Sequence, residues 1–368
     1  MEPHLTFFVD PAWRRVGQHI PLLYPFWGNA QSSNTPFYKT LFDQYSFDTR
    51  YYRITDNPEH ADMVLLPYGH RLTLLQFPDL LTTCAVVAEQ LHLPLLIDGT
   101  GDIECSVDLP NTLVLRYGGY RFEKKDNEIH IPLYADDLLE RYAGGVWSPR
   151  HKSAGDIPTV GFAGWGALSM MQTVRAFVKE IPDRLRSVFD YRYHAKKKGV
   201  FFRAAAIAAL EHSPIVKANI VRRRGYSGHT GTADASPEQL RREFVDNLLG
   251  SDYCLDVRGD ANASIRLFEI TSLGRIPVIV DTERNFPFSD ALDYATFSLR
   301  VDMRDVNQLP ERIAAFHASL TDEQFVEMQR AARAAFEQYF CVEAITRHLM
   351  RAIAERLPAT APSDTPQR

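Results

Sequence analysis

Cysteine is scarce in this sequence: Cys84, Cys105, Cys254 and Cys341 are scattered through 368 residues with no Cys-x-x-Cys pair. That spacing excludes a disulfide framework or a zinc ribbon and fits a reducing compartment. The histidines lack His-Glu-x-x-His or other paired ligand spacing, and Asp-x-Asp is absent, so no metal and no other cofactor is expected. No stretch approaches the roughly 18 apolar residues of a membrane span, and the start, MEPHLTFFVDPAWRR, lacks a basic region followed by an apolar run. A cytoplasmic location is therefore expected. Positive charge is not in excess either: the net charge of −5 gives no electrostatic case for nucleic acid, so any anion site must be local. Internal repeats are absent.

What is present is ample material for two cores, with 45% apolar and 24% charged residues over a length that exceeds the usual single core. Short apolar runs alternate with helical periodicity. LTFFV (5–9), ADMVLLPY (61–68), LPLLID (93–98) and TLVLRYGG (112–119) read as strands, with helices over 35–45 and 79–91 between them. A Gly- and Pro-bearing polar stretch over 143–157 reads as a linker. A second series follows: TVGFAGWG (159–166), a helix over 201–213, VKANIVRRR (216–224), a helix over 236–251 with Ser236 as N-cap and Pro237 first, then YCLDV, ASIRLFEITSL and IPVIVD. This rhythm is that of α/β layers with mostly parallel strands. The expected division is 1–148, 149–340, a helix over 341–357 that packs back on the first domain, and a disordered tail over 358–368.

Ligands of open α/β sheets bind beyond the carboxyl ends of the strands, so the residues just after strands carry the functional reading. After YCLDV comes RGDANA, with Ser264 as N-cap of the next helix. A helix N-terminus attracts phosphate, and Arg266 and Arg258 would add charge-assisted hydrogen bonds to a diphosphate. Glu269 shares a helix face with Arg266 and can accept from a ribose diol; otherwise the two form an ordinary i,i+3 surface pair. Asn262 belongs to the same loop. Gly164 in FAGWG, and Tyr226 and His229 in RRRGYSGHTG, are further donor-side candidates. The long loop YPFWGNAQSSNTPFY (24–38) mixes aromatics and amides in the way sugar sites do, which makes Trp27, Asn29 and Asn34 acceptor candidates. The clusters at 196–198 and 222–224 are dense enough to attract phosphates, an anionic glycan or an acidic membrane surface, so peripheral contact with a membrane's inner face stays open.

The run YCLDVRGDANASIRLFEITSLGRIPVIVD resembles the exostosin-type glycosyltransferases, in which Cys-Leu leads through a Gly-containing loop to Ser-x-Arg-x-x-Glu and Gly-x-Ile-Pro-Val. FPFSDALDYATFSLRV, EQFVEMQRAARAAFEQYF and, upstream, ITDNPEHADMVLLPY continue the similarity. Asp256-Val257 replaces the family's common Pro. The resemblance implies the GT-B architecture, two Rossmann-like α/β domains facing across a cleft, and inverting, metal-independent sugar transfer from a nucleotide-sugar, with a UDP-sugar the first candidate, to a glycan or lipid-linked glycan acceptor in polysaccharide or glycoconjugate synthesis. It assigns Arg266 to the diphosphate and Glu269 to the ribose. Retaining GT-B enzymes often carry a Glu about eight positions earlier than that ribose residue; Ala261 and Asn262 stand there, which favours inversion. The alternatives are a retaining GT-B enzyme and a non-catalytic nucleotide- or sugar-binding protein of the same fold. An inverting enzyme needs a base for the acceptor hydroxyl. LLIDGTGDIE offers Asp102 first, with Asp98 and Glu104 behind it.

Overall fold

The computed structural model describes residues 2–31, 36–103, 105–166, 175–176, 178–223 and 236–357. Two compact domains emerge, each built on one parallel sheet. The first domain comprises 1–116, 125–131 and 342–368; the second comprises 117–124 and 132–341.

In the first domain the strands are β1 (Leu5–Phe8), β2 (Tyr52–Thr55), β3 (Met63–Leu65), β4 (Leu95–Asp98), β5 (Thr112–Arg116) and β6 (Glu128–His130), ordered β2-β1-β3-β4-β5-β6. β1, β3 and β4 are buried along their whole length, which is why they read as unbroken apolar runs rather than alternating ones. β2 and β6 lie at the two edges. They are less fully buried and carry Arg53 and Glu128, so they lack the apolar signal that marks the others. The C-terminal helix Val342–Ala354 belongs to this domain and is tied to it by the Asp48 amide, which donates to Thr346 Oγ1 at 2.9 Å.

The second domain holds β7 (Thr159–Trp165), β8 (Lys217–Arg223), β9 (Tyr253–Asp256), β10 (Ile276–Asp281) and β11 (Leu299–Asp302), ordered β11-β10-β9-β7-β8. β9 and β10 are buried throughout and run in register from Tyr253↔Ile276 to Asp256↔Ile279. Helix Pro237–Leu249 starts with a capping box, the Ser236 hydroxyl accepting from the Gln239 amide and the Gln239 side chain from the Ser236 amide. The segment 143–157 differs from the expected linker. Its polar residues are fastened to the second domain: Arg150 pairs with Asp252 at 2.7 Å, Gln329 bonds the Arg150 backbone in both directions, and Lys152 donates to Leu320 O. Composition shows the polar residues but not the partners that satisfy them, Asp252 before β9, Leu320, and Gln329 on the helix Asp322–Ala335.

Both sheets reverse strand order beside their first strand, at β1 in one and β7 in the other. Such switch points are where open α/β sheets leave a crevice at the carboxyl ends of the strands.

Candidate functional site

Helix Ile265–Ser272 follows β9 and places Arg266 against the end of β7. The guanidinium lies 4.1 Å from the Phe162 ring centroid, and its Nη2 donates to Ala163 O at 2.8 Å. Gly164 makes this approach possible, since a Cβ there would stand 2.7 Å from Arg266 Nη2. The expected role of Gly164, letting backbone amides near a phosphate, gives way to a different one: its missing side chain is the seat of the arginine. Arg266 Nε and Nη1 are buried with no hydrogen-bond partner among the described residues. Burial pushes this guanidinium's pKa down, against the pull of Glu269 and Asp256. Buried donors left unmet on a cation are costly, so the site holds an unmet demand for an anion or for water.

Arg203 backs the same place. Its donors reach Trp165 O at 2.8 Å, Val257 O at 3.2 Å and Arg258 O at 3.1 Å, tying the ends of β7 and β9 together. The sequence signal was there, a single charge inside FFRAAAIAAL. One helix further, Arg241 forms an ion pair with Glu269 at 2.7 Å. Burial works against the Arg241 charge, but Glu269 holds its pKa above the ordinary arginine value. Glu269 is therefore buried, with its Oε1 engaged by Arg241.

Two other candidates are corrected. Arg258 turns inward to the carbonyls of Gly259, Asp260, Ala261, Ala195 and Lys197, and these bonds fold its loop over the 195–197 segment. Asn262 donates to Gly119 O and Thr282 O, both at 3.0 Å, and accepts from Thr282 Oγ1 at 2.7 Å. Neither has polar capacity left for a diphosphate beyond the Arg258 Nε. Ser264 occupies the N-cap position, but its side chain makes no capping bond. Tyr226 and His229 lie outside the described residues.

Sequence reasoning missed the buried pair Arg284–Asp256, 2.7 Å apart, with Asp256 Oδ1 and Arg284 Nε and Nη2 unpartnered among the described residues. Asp281 beside it is gripped by Arg121 at 3.0 Å and Arg300 at 2.6 Å. Burial acts to raise the Asp281 pKa, but these arginines keep it below the ordinary carboxylate value. The Lys196–Lys198 cluster is paired as well: Lys196 with Glu123 at 2.6 Å, Lys198 with Asp260 at 3.6 Å, and Lys197 against His194 at 2.8 Å. Arg222 pairs with Glu211, and Arg223 with Glu243 at 2.8 Å.

At the first sheet's edge, Asp98 ends β4, buried, and accepts from the Thr100 amide at 2.9 Å and the Thr100 hydroxyl at 2.6 Å. Burial raises its pKa, the Thr100 bonds and Arg116 opposing. Asp102 is exposed, and Glu104 lies outside the described residues. His70, the first residue of the helix His70–Gln76 that follows β3, is buried with Nδ1 unpartnered among the described residues; burial lowers its pKa, assisted by Arg116. Nothing in GHR marks it in sequence. Trp27 is half-buried under Arg14, whose guanidinium sits 5.2 Å from its ring. Asn29 is committed to Lys39 O at 3.0 Å and Asp43 at 2.8 Å, closing its own loop, which corrects its expected acceptor role; Asn34 lies outside the described residues. Among the described residues no group of three His, Cys, Asp or Glu could hold a metal ion.

The two parallel α/β sheets share one strand order, and the second has a cationic switch point. Residues 176–316 match the Exostosin GT47 domain. Over 121 residues the chain is 28% identical to an Exostosin-1 homolog of Caenorhabditis elegans, covering 33% of this chain and 31% of that one. It is 26% identical to the probable arabinosyltransferase ARAD1 of Arabidopsis thaliana, covering 32% and 27%. The match thus spans under a third of either relative's length. Among solved structures it is similar to Anabaena Alr3699/HepE in complex with UDP-glucose (12% identity, 96% of this chain and 99% of that chain, TM-score 0.37). A glycosyltransferase from Rickettsia africae ESF-5 gives 11%, 96%, 97% and 0.38 in the same terms.

Proposed function

We propose that this protein is an inverting glycosyltransferase that moves a sugar from a nucleotide-sugar, with a UDP-sugar the first donor to test, to a glycan or lipid-linked glycan acceptor without a metal. One observation carries the reading: the Arg266 guanidinium stands at the switch point of the second sheet with two buried donors unmet by the described residues. A diphosphate is the ligand that fits, because it brings charge and several acceptors together, and charge-assisted bonds are the strong ones. Glu269 takes the ribose role in concert with Arg241, whose ion pair fixes the carboxylate. The first domain supplies the base. Asp98 is the better choice over Asp102, since a carboxylate whose pKa is lifted by burial accepts a proton more readily near neutrality.

The test is a thermal-shift and calorimetric screen of nucleoside diphosphates and nucleotide-sugars. A ligand that binds only the folded state raises the melting temperature by mass action. Arg266→Ala is expected to weaken that ligand by roughly a hundredfold or more, from two lost bonds to a charged group at about 1.5 kcal/mol or above each. Arg266→Lys, which keeps the charge and loses the planar fork, should fall between. Unchanged affinity in a folded Arg266→Ala protein overturns the assignment.

A further inference from the structure

Helix Ile181–Phe189 is packed the wrong way round for a soluble surface helix. None of its residues is buried, and its large apolar side chains face solvent: Ile181 is 42% exposed, Leu185 63%, Val188 77% and Phe189 92%. These positions follow the i, i+4, i+7, i+8 spacing of one helical face, and Val178, 58% exposed, extends the stripe one turn earlier. The polar side is the one turned inward. Glu180 accepts from the Lys198 amide at 2.7 Å and from Arg184 at 3.0 Å, and Asp183, Arg184 and Ser187 line a crevice with Tyr193 and His194. An exposed apolar stripe of this regularity marks a docking surface.

Charge identifies the occupant. Between positions 179 and 198 the chain carries seven Lys or Arg and three Asp or Glu, and with Glu123 on Lys196 and Asp260 on Lys198 counted the segment keeps an excess of two positive charges, although the whole chain is net negative at −5. All three acids are paired: Glu180 with Arg184, Asp183 with Arg186 at 3.6 Å, and Asp190 with Arg192 at 2.7 Å. Lys179, Arg186 and Arg192 are exposed around the stripe. We propose that this face seats the protein on an anionic lipid bilayer, with Ile181, Leu185, Val188 and Phe189 entering the acyl boundary and the basic residues meeting headgroup phosphates. Interfacial helices bind by this sum of apolar area and attraction to anionic lipid. The inference does not depend on the transferase reading, because it uses none of the residues around Arg266.

The experiment is flotation of the full chain with phosphatidylcholine vesicles with and without phosphatidylglycerol, at low and high salt. Binding is expected to need phosphatidylglycerol and to weaken with salt. The double variant L185E/F189E should lower partitioning at least about tenfold with an unchanged circular-dichroism melt, since exposed positions seldom affect stability. Three results overturn the proposal: no flotation with anionic vesicles at low salt, flotation that the double variant leaves intact, or a dimer in sedimentation that the variant dissolves without any lipid binding, which would make the face a contact between copies.

Discussion

The carboxyl edges of the two sheets share a topology and differ in charge. At the second, arginines gather: half-buried Arg203 and Arg266 at the β7–β9 switch, and buried Arg258 in the following loop and Arg284 on Asp256. At the first, a buried carboxylate, Asp98, ends β4, and a buried imidazole, His70, follows β3; the nearby Arg116 is spent on Glu128 at 3.2 Å and on the carbonyls of Gly99 and Cys105. A sheet edge lined with unmet cationic donors suits an anion. One holding a carboxylate and an imidazole with pKa values displaced by burial suits proton transfer. The same backbone plan thus carries two chemistries, set by which ionisable group each strand end buries.

The largest effect should come from breaking the second edge. Arg284→Met leaves the Asp256 carboxylate at 0% exposure without its cation, and removing one partner of a buried pair costs about 3–5 kcal/mol. Urea unfolding would read this as a marked fall in midpoint. The double variant D256L/R284M should recover much of the loss, because an apolar pair of similar volume is often neutral where a lone buried charge is not. Equal loss in single and double variants would show that Arg284 acts through packing on Phe286, 5.6 Å from its guanidinium, rather than through charge.

At the first edge the effect is smaller in stability and larger in chemistry. Burial raises the folded-state pKa of Asp98 above its ordinary 3.8, so the folded chain holds this proton more tightly than the unfolded chain. That contribution is fully present below the ordinary pKa and is lost as pH rises through the raised folded value. Asp98→Asn removes the ionisation. Its stability relative to the parent should therefore climb as pH moves from the acid range toward neutral, and a flat difference across that range would mean Asp98 titrates normally. For function, Asp98→Asn should abolish transfer while nucleotide affinity holds, whereas Asp102→Asn on the exposed loop should leave most turnover. The reverse ranking moves the base to Asp102.

What could be read without coordinates follows from where the information lies. IPVIVD is apolar at every position but its last, so β10 was legible to the residue, and Ser236-Pro237 with Gln239 announced a helix start that the capping box realises. β2 and β6 were missed because edge strands bury little and carry charge. Arg266 was legible as a candidate, since a cation in an apolar helix after a strand needs a reason. Its seat on Phe162 and Gly164 was not, because these lie 104 and 102 residues earlier in the chain. Arg258 and Asn262 stand in the same loop with equally suitable chemistry, yet their polar atoms close on backbone carbonyls. Direction of a side chain is a property of packing, and residue type alone does not encode it.

The smallest effect separates helix from ligand at the second edge. An N-cap serine that bonds its helix contributes about 1 kcal/mol, and Ser236→Ala should cost about that. Ser264→Ala removes a hydroxyl that makes no capping bond, so its stability cost should stay within a few tenths of a kcal/mol. If the start of helix Ile265–Ser272 is where phosphate sits, the Ser264 hydroxyl belongs to the ligand, and its removal should weaken nucleotide binding by roughly fivefold, the worth of one ordinary hydrogen bond near 1 kcal/mol. Calorimetry on the two serine variants makes the contrast internal. Ser236→Ala should lose stability and keep affinity, and Ser264→Ala should do the opposite. A Ser264→Ala protein that loses about 1 kcal/mol of stability and no affinity would return that hydroxyl to the helix and leave Arg266 to hold the anion without it.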